Sequence, residues 1–138
     1  MARVQSGLID HIDLRVRDLD AAAAFYDVLM SELGLRERGR GEDWITYGYP
    51  GEDGRVAPFF GLTQSAAHAI NETRIAFAGA SRADVDRLAG CLRRIGARSI
   101  EGPMLCPEYT PVYYAVFFAD PDGNKLEICH RTQPAASA

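Results

Sequence analysis

In two short segments, every second residue is apolar and the polar residues between them include side chains that could do chemistry. Residues 8–16 alternate between apolar and polar side chains, and His11 lies on the polar side. In residues 73–78, Arg74 alternates with apolar neighbours in the same way. A period of two is typical of a strand with one buried face. An imidazole can move protons at neutral pH, and a guanidinium can hold a carboxylate or phosphate through two parallel hydrogen bonds.

Aromatic residues are predicted to form the wall of a small-molecule site, because such clefts combine aromatic surface with a few polar groups. The candidates for this substrate-binding wall are Trp44, Tyr47, Phe60, Tyr109, Tyr113 and Tyr114. Phe117, and one of the two adjacent tyrosines, are expected to face the helices instead.

Composition argues against several other classes of protein. The formal net charge of −4 disfavours nucleic acid as a partner. No apolar run approaches the roughly 20 residues that span a bilayer, so no membrane association is expected. The three cysteines, Cys91, Cys106 and Cys129, are widely spaced and form no CxxC pair. This pattern favours a reducing compartment over a disulfide framework or a zinc finger, so the predicted location is cytoplasmic.

Residues 7–64, called module one, read as a strand, a helix and three further strands. The first strand covers residues 8–16, and Asp18 or Asp20 can cap a helix that continues to Glu32. Gly34 follows where a helix often ends. Extended runs are predicted at residues 36–40, 44–49 and 55–63, and Glu52-Asp53-Gly54 is a turn signal before the last run.

Residues 72–131, called module two, repeat the pattern. A strand at residues 73–78 precedes a helix that Ser81 can cap and Gly96 can end. Extended runs follow at residues 98–101, 113–119 and 125–129, and Asp120-Pro121-Asp122-Gly123-Asn124 is a strong turn between the last two.

The two modules are offset by about 63 residues, which places His11 and Arg74 at equivalent points. One module is too small to bury both faces of its sheet. The sequence therefore predicts a single α+β domain over residues 1–138. Its two βαβββ modules would form a cupped mixed sheet around a shared hollow, with the helices outside.

The segments DHIDLRVRDLDAAAAFYDVLMSELGL and FFADPDGNKLEI, together with the duplication, resemble the glyoxalase / bleomycin-resistance protein / extradiol dioxygenase family, the vicinal oxygen chelate superfamily. The resemblance covers roughly residues 7–131. It implies paired βαβββ modules, a small-molecule ligand in the cupped sheet and a homodimer. Cys106–Pro111 resembles a family loop that closes over the cavity. The fold hosts lyases, isomerases, dioxygenases and metal-free drug-binding proteins, so the resemblance alone does not fix a reaction.

The resemblance also implies metal-ligand positions on the first and last strands of each module, suited to Mn, Fe, Ni or Zn. His11 and Glu127 match two of these positions and are the predicted catalytic and metal-binding residues. Arg74 stands where the family usually has a third ligand, His. Residues 55–64, where the fourth ligand is expected, contain no His, Asp or Glu, and Gln64 is a weak candidate there. His68 in the linker is an alternative third ligand.

An arginine cannot ligate a metal, and its charge repels a cation. We therefore expect a degenerate metal site that binds no ion or binds one weakly, with Arg74 pairing with Glu127. Three functions stay open. One is a metal-dependent lyase or dioxygenase. The second is a metal-free protein that sequesters a drug. The third is a metal-free enzyme or binder for a small anion held by Arg74, with His11 as acid or base.

Overall fold

The computed structural model describes residues 8–51 and 57–131. They cluster into two compact units, the first ending at His68 and the second beginning at Ala69. Each unit contains one four-stranded mixed sheet and one helix, which confirms the α+β class and the repeated βαβββ pattern. No helix within these residues is both long and apolar enough to cross a membrane.

Unit one follows the predicted element order. Its elements are β1 (His11–Val16), α1 (Leu19–Glu32), β2 (Arg36–Arg40), β3 (Trp44–Gly48) and β4 (Phe59–Gln64). The strand order is β1-β4-β3-β2, with β1 parallel to β4 and the other neighbours antiparallel. The predicted turn at residues 52–54 lies outside the described residues, and the last strand begins later than the sequence suggested.

Unit two has the same topology. Its elements are β5 (Arg74–Ala78), α2 (Arg82–Arg94), β6 (Arg98–Leu105), β7 (Tyr114–Ala119) and β8 (Lys125–His130). The order is β5-β8-β7-β6, again with one parallel pair. The strand β6 is longer than predicted and contains two register shifts against β7.

The predicted capping residues begin both helices. The Asp18 carboxylate accepts a hydrogen bond from the Ala21 backbone N–H at 3.1 Å, and the Ser81 hydroxyl accepts one from Asp84 N–H at 3.0 Å. Backbone N–H groups at a helix start otherwise lack partners, so these bonds help to set where each helix begins. The Asp84 carboxylate in turn accepts from Ala80 N–H at 2.9 Å, which lowers the pKa of Asp84.

In each unit one sheet face packs on the helix and the opposite face, here called the far face, does not. Apolar residues of β1, β3 and β4 alternate toward α1, and Val16, Ile45 and Leu62 are fully buried. In unit two Leu126 and Ile128 are buried in the same way. The polar alternates, such as His11 and Arg74, take the far face.

Tyr47 and Phe60 lie on the helix side of unit one, so their predicted place in a substrate wall is corrected. They are register partners on β3 and β4, and both are buried. The Phe60 ring centroid is 5.8 Å from that of Tyr26 on α1. The Tyr47 hydroxyl donates to the Asp27 carboxylate of the same helix at 2.7 Å. Burial, followed by this hydrogen bond, raises the pKa of Tyr47 far above its ordinary value.

A buried carboxylate organises the turn between β7 and β8. Asp120 is fully buried, and its side chain accepts hydrogen bonds from the backbone N–H groups of Asp122 and Asn124, each at 2.9 Å. The Asn124 side-chain amide donates a further bond at 2.9 Å. Gly123 in this turn has a φ of +84°, which favours glycine.

Replacing Asp120 with alanine should lower the free energy of unfolding by about 3 kcal/mol, because buried amide donors lose a charged acceptor. Urea unfolding followed by circular dichroism measures this change. The control is Asp122→Ala, since Asp122 contributes its backbone N–H to this network. Equal stability losses in both variants would contradict the assignment.

Tyr47→Phe should make the protein more tolerant of alkali. Above pH ~10 the unfolded chain releases this phenolic proton while the folded chain keeps it, so wild-type stability falls by up to about 1.4 kcal/mol per pH unit from this group. The variant should show a shallower fall in unfolding free energy between roughly pH 10 and 11.5. Tyr49→Phe, at an exposed tyrosine, should retain the wild-type slope; a wild-type slope in Tyr47→Phe would disprove the prediction.

Candidate functional site

The far face of unit two combines charged, aromatic and small side chains over a cavity of about 550 Å³. Three cationic residues, two carboxylates and several apolar residues line it. Its lining residues are Ile70, Arg74, Arg98, Ser99, Glu101, Met104, Glu108, Tyr109, Phe117, Phe118, Ala119, Gly123 and Lys125. A cavity with aromatic surface and a few charged groups is what small organic ligands require.

Arg74 lies in this cavity, on the predicted face of β5. Its guanidinium carbon is 4.9 Å from the centroid of the Phe117 ring, a cation–π contact. A guanidinium stacked on a ring keeps its N–H edge available for hydrogen bonds in the plane. Phe117 therefore belongs to the far face, and the expectation that it faces the helix is wrong.

Glu127 also takes the far face, where it is the register partner of both Ala76 on β5 and Phe117 on β7. It is 5% exposed, and the Tyr113 hydroxyl donates a short hydrogen bond to its Oε2 atom. Burial, followed by this hydrogen bond, raises the pKa of Tyr113 far above its ordinary value. Tyr113 also packs edge-on against Tyr109, with ring centroids 5.0 Å apart.

The predicted ion pair between Arg74 and Glu127 is not formed within unit two. Arg74 is opposite Lys125 in the register, two positions before Glu127, and stacks on Phe117. The buried carboxylate has its donor in Tyr113 instead. A neutral hydroxyl satisfies it without burying a second charge, which would cost desolvation free energy.

Tyr114 faces the other way, so its predicted place in the substrate wall is corrected. Its hydroxyl donates to the Asp86 carboxylate on α2 at 2.6 Å, and Arg82 of that helix lies 5.5 Å from its ring centroid. The Asp86 hydrogen bond raises the pKa of Tyr114.

Cys106 begins the loop that contributes Glu108 and Tyr109 to the cavity. Its backbone N–H donates to the Tyr113 carbonyl at 2.8 Å, and its own carbonyl accepts from Tyr109 N–H at 3.0 Å. The thiol is buried, and burial raises its pKa. A thiol held protonated in this way is a poor nucleophile.

His11 occupies the far face of unit one. Its ring stacks on Phe59, with centroids 4.6 Å apart and planes 6° apart, and its Nδ1 atom lies 2.8 Å from the Asp10 carboxylate. Phe59, which the sequence analysis did not single out, is its register partner on β4. The strand alternation of β4 would have placed Phe59 beside His11.

Trp44 is on the same face of unit one and is 41% exposed. Its indole lies beside Gly39 of β2 and the following Gly41, where an added Cβ would meet the ring.

Asp13 on β1 accepts a hydrogen bond from the Thr63 hydroxyl of β4 at 2.7 Å. Burial opposes ionisation of Asp13, but this bond and the Arg15 guanidinium outweigh it and lower its pKa.

The repeated register identifies the position in unit one that corresponds to Glu127. Asp13 pairs with Gly61 in unit one as Ala76 pairs with Glu127 in unit two. The four positions at which the resemblance implies ligands therefore hold His11, Gly61, Arg74 and Glu127. A glycine and an arginine have no side-chain ligand for a metal, so this donor set does not fit a divalent ion.

Gln64 and His68 are the two alternative metal ligands that the sequence offers. The Gln64 side-chain oxygen accepts from the Leu19 backbone N–H at 2.8 Å, which commits it to the start of α1. The His68 carbonyl accepts from the Arg17 guanidinium, and the His68 Nε2 atom is buried with no hydrogen-bond partner in the described part of the chain. Within the described residues, no three His, Cys, Asp or Glu side chains group as metal ligands would.

Lys125, Arg98, Glu101 and Ala119 were not singled out from the sequence, yet all line the cavity. Lys125 could have been found, because it lies two residues before Glu127 on the same strand and so shares its face. Arg98 and Glu101 could not, because the register shifts of β6 break its alternation.

Comparison with solved structures finds the same fold in several bacterial proteins. A glyoxalase/bleomycin resistance protein from Albidiferax ferrireducens T118 is 25% identical, with a TM-score of 0.76 over 91% of this chain and 100% of that one. A glyoxylase/bleomycin resistance protein/dioxygenase domain from Frankia sp. EAN1pec is 24% identical, with a TM-score of 0.69 over 94% of this chain and 100% of that one.

The fosfomycin resistance protein FosX from Listeria monocytogenes is 19% identical, with a TM-score of 0.69 over 94% of this chain and 96% of that one. This likeness concerns the fold alone. A search of curated proteins returned no match. The family model for the Glyoxalase/Bleomycin resistance protein/Dioxygenase superfamily matches residues 8–128. The match covers both βαβββ units, and the chain belongs to this superfamily.

Proposed function

We propose that this protein binds a small organic molecule in the cavity on the far face of unit two. The observation that carries the proposal is the cavity of about 550 Å³ in which Arg74 stacks on Phe117. The volume suits a ligand of metabolite or drug size. An aromatic floor beside free N–H groups offers both dispersion contact and directional hydrogen bonds.

Each lining group has a distinct part in binding. Phe117 supplies apolar surface and contacts the Arg74 guanidinium, which orients the polar end of a ligand. Tyr109, 57% exposed, stands at the loop side of the cavity and is held there by its packing on Tyr113. Glu127, the register partner of Phe117, is held by the hydrogen bond from the Tyr113 hydroxyl.

Three cationic side chains in one cavity disfavour a strongly cationic drug as the ligand. The proposal therefore favours a neutral or anionic molecule over a strongly cationic drug. Whether His11 and Glu127 act as catalytic groups, with a lyase or dioxygenase reaction, stays a prediction. Homodimerisation, a cytoplasmic location and a hollow shared by the two sheets also stay predictions.

We include in the proposal that the family's metal site is degenerate. Its support is the donor set, in which Gly61 and Arg74 cannot ligate and Glu127 already accepts a hydrogen bond from Tyr113. A guanidinium two positions along the same face would also oppose a cation at Glu127.

Filling the cavity should abolish ligand binding without unfolding the protein. A library of neutral, anionic and cationic organic fragments is screened against the wild type by NMR. Ala119→Leu adds bulk in the cavity, so the shift changes that the hits cause in the wild type should vanish in this variant. In the wild type, these changes should cluster on β5, β7 and β8. Ala24→Leu, at an exposed position of α1, is the matched control and should bind as the wild type does. Hits that bind Ala119→Leu unchanged would refute the proposed site.

Metal retention tests the degenerate site separately. The protein is purified without chelators, exposed in turn to Mn²⁺, Fe²⁺, Ni²⁺ and Zn²⁺, desalted and analysed for metal content. We expect well under one equivalent per chain, because a site with two protein ligands holds a divalent ion weakly. Glu127→Gln should leave the content unchanged. One retained equivalent that disappears in Glu127→Gln would instead favour the metal-dependent alternative.

A further inference from the structure

The register of unit two aligns three cationic residues in a single row across the sheet. Arg74 pairs with Lys125, Lys125 pairs with Ala119, and Ala119 pairs with Arg98. All four residues line the cavity. We call Arg74, Lys125 and Arg98 the cationic row. Adjacent strands are about 4.8 Å apart, so the backbone positions of the row span roughly 15 Å.

Such a row carries a cost that the unit itself only partly offsets. Like charges on directly paired positions of neighbouring strands destabilise a sheet. Lys125 lies 3.0 Å from the Glu72 carboxylate, but that side chain is 91% exposed and the pair is screened by solvent. Arg98 donates to the neutral Pro121 carbonyl at 3.1 Å, and no carboxylate of the described residues forms an ion pair with it.

Arg74 has its aromatic contact with Phe117, and within unit two no described carboxylate forms an ion pair with it. A ring contact partly desolvates a guanidinium and leaves its N–H groups free to bind. Ala119 lies between Lys125 and Arg98 in the register and lines the cavity, so a ligand atom can approach its methyl group.

The carboxylates of the cavity do not share this row. Glu101 is paired with Phe117 in the next row, and Glu108 belongs to the loop that follows Cys106. The cavity is therefore polarised. Its end near the Asp120 turn is cationic, its centre holds the Phe117 ring with Glu101 beside it, and its loop end carries Glu108 beside Tyr109.

We propose that the cationic row is an anion subsite, and that the ligand of this protein is an amphipathic organic anion. Its carboxylate, phosphate or phosphonate lies over Ala119 among Arg74, Lys125 and Arg98, and its apolar portion packs on Phe117. This assignment rests on the proposed function and names the class of molecule that the cavity takes.

The test compares three probes that share one ring: phenylphosphonate, benzoate and the neutral benzamide. Titrations at low ionic strength, followed by backbone NMR shifts, give the dissociation constants. We expect both anions to bind at least about tenfold more tightly than benzamide, with shifts at the amides of the cationic row. Raising the salt from roughly 0.05 to 0.5 M should weaken the anions selectively.

Variants assign the effect to the row. Arg74→Gln, Lys125→Gln and Arg98→Gln should each weaken the binding of the anions by about tenfold more than they weaken the binding of benzamide. Arg93→Gln on α2 removes the same charge from an exposed position away from the cavity, and it should bind all probes as the wild type does. If Arg93→Gln weakens the anions equally, net charge rather than the row governs binding and the inference is overturned.

A second measurement does not depend on the choice of ring. Inorganic phosphate should raise the unfolding temperature of the wild type and of Arg93→Gln, but not of the three row variants. Equal protection of all five proteins overturns the anion subsite. If benzamide binds the cavity as tightly as the anions do, the proposed function stands and this inference fails. If no probe or phosphate shifts unit two at all, both fail.

Discussion

In the described parts of the chain each sheet has one helix, and one helix can cover only one of the two faces of a sheet. The covered face must be apolar, because burying it supplies most of the stability of a unit of this size. The other face is released from that requirement and can carry charge. The face that a side chain takes determines whether it lies on the cavity side of its sheet, and strand register sets that face.

The division between faces was readable from the sequence where the alternation is clean. In β1 and β5 polar and apolar residues alternate, so His11 and Arg74 were placed on the far face correctly. In β7 every residue is apolar or aromatic, and periodicity cannot distinguish its faces. Phe117 was accordingly assigned to the wrong one.

The face that a tyrosine takes is also hard to predict from sequence, because a phenol suits a ligand site and a helix interface equally well. Tyr47 and Tyr114 both direct their hydroxyls to a helix carboxylate, at Asp27 and Asp86. Neither partnership is visible in a one-dimensional pattern. The same holds for Glu127, whose donor proved to be Tyr113, fourteen residues earlier in the chain, and not a cation on the neighbouring strand.

The turn glycine Gly123 joins two parts of the molecule. Its φ of +84° is needed by the tight connection that Asp120 organises. A Cβ on this residue would also lie 2.6 Å from the end of the Ile70 side chain, which lines the cavity. A larger residue here would strain the backbone bend and require the Ile70 side chain to move. The shape of the turn and the lining of the cavity are therefore inherited together, because one small residue serves both.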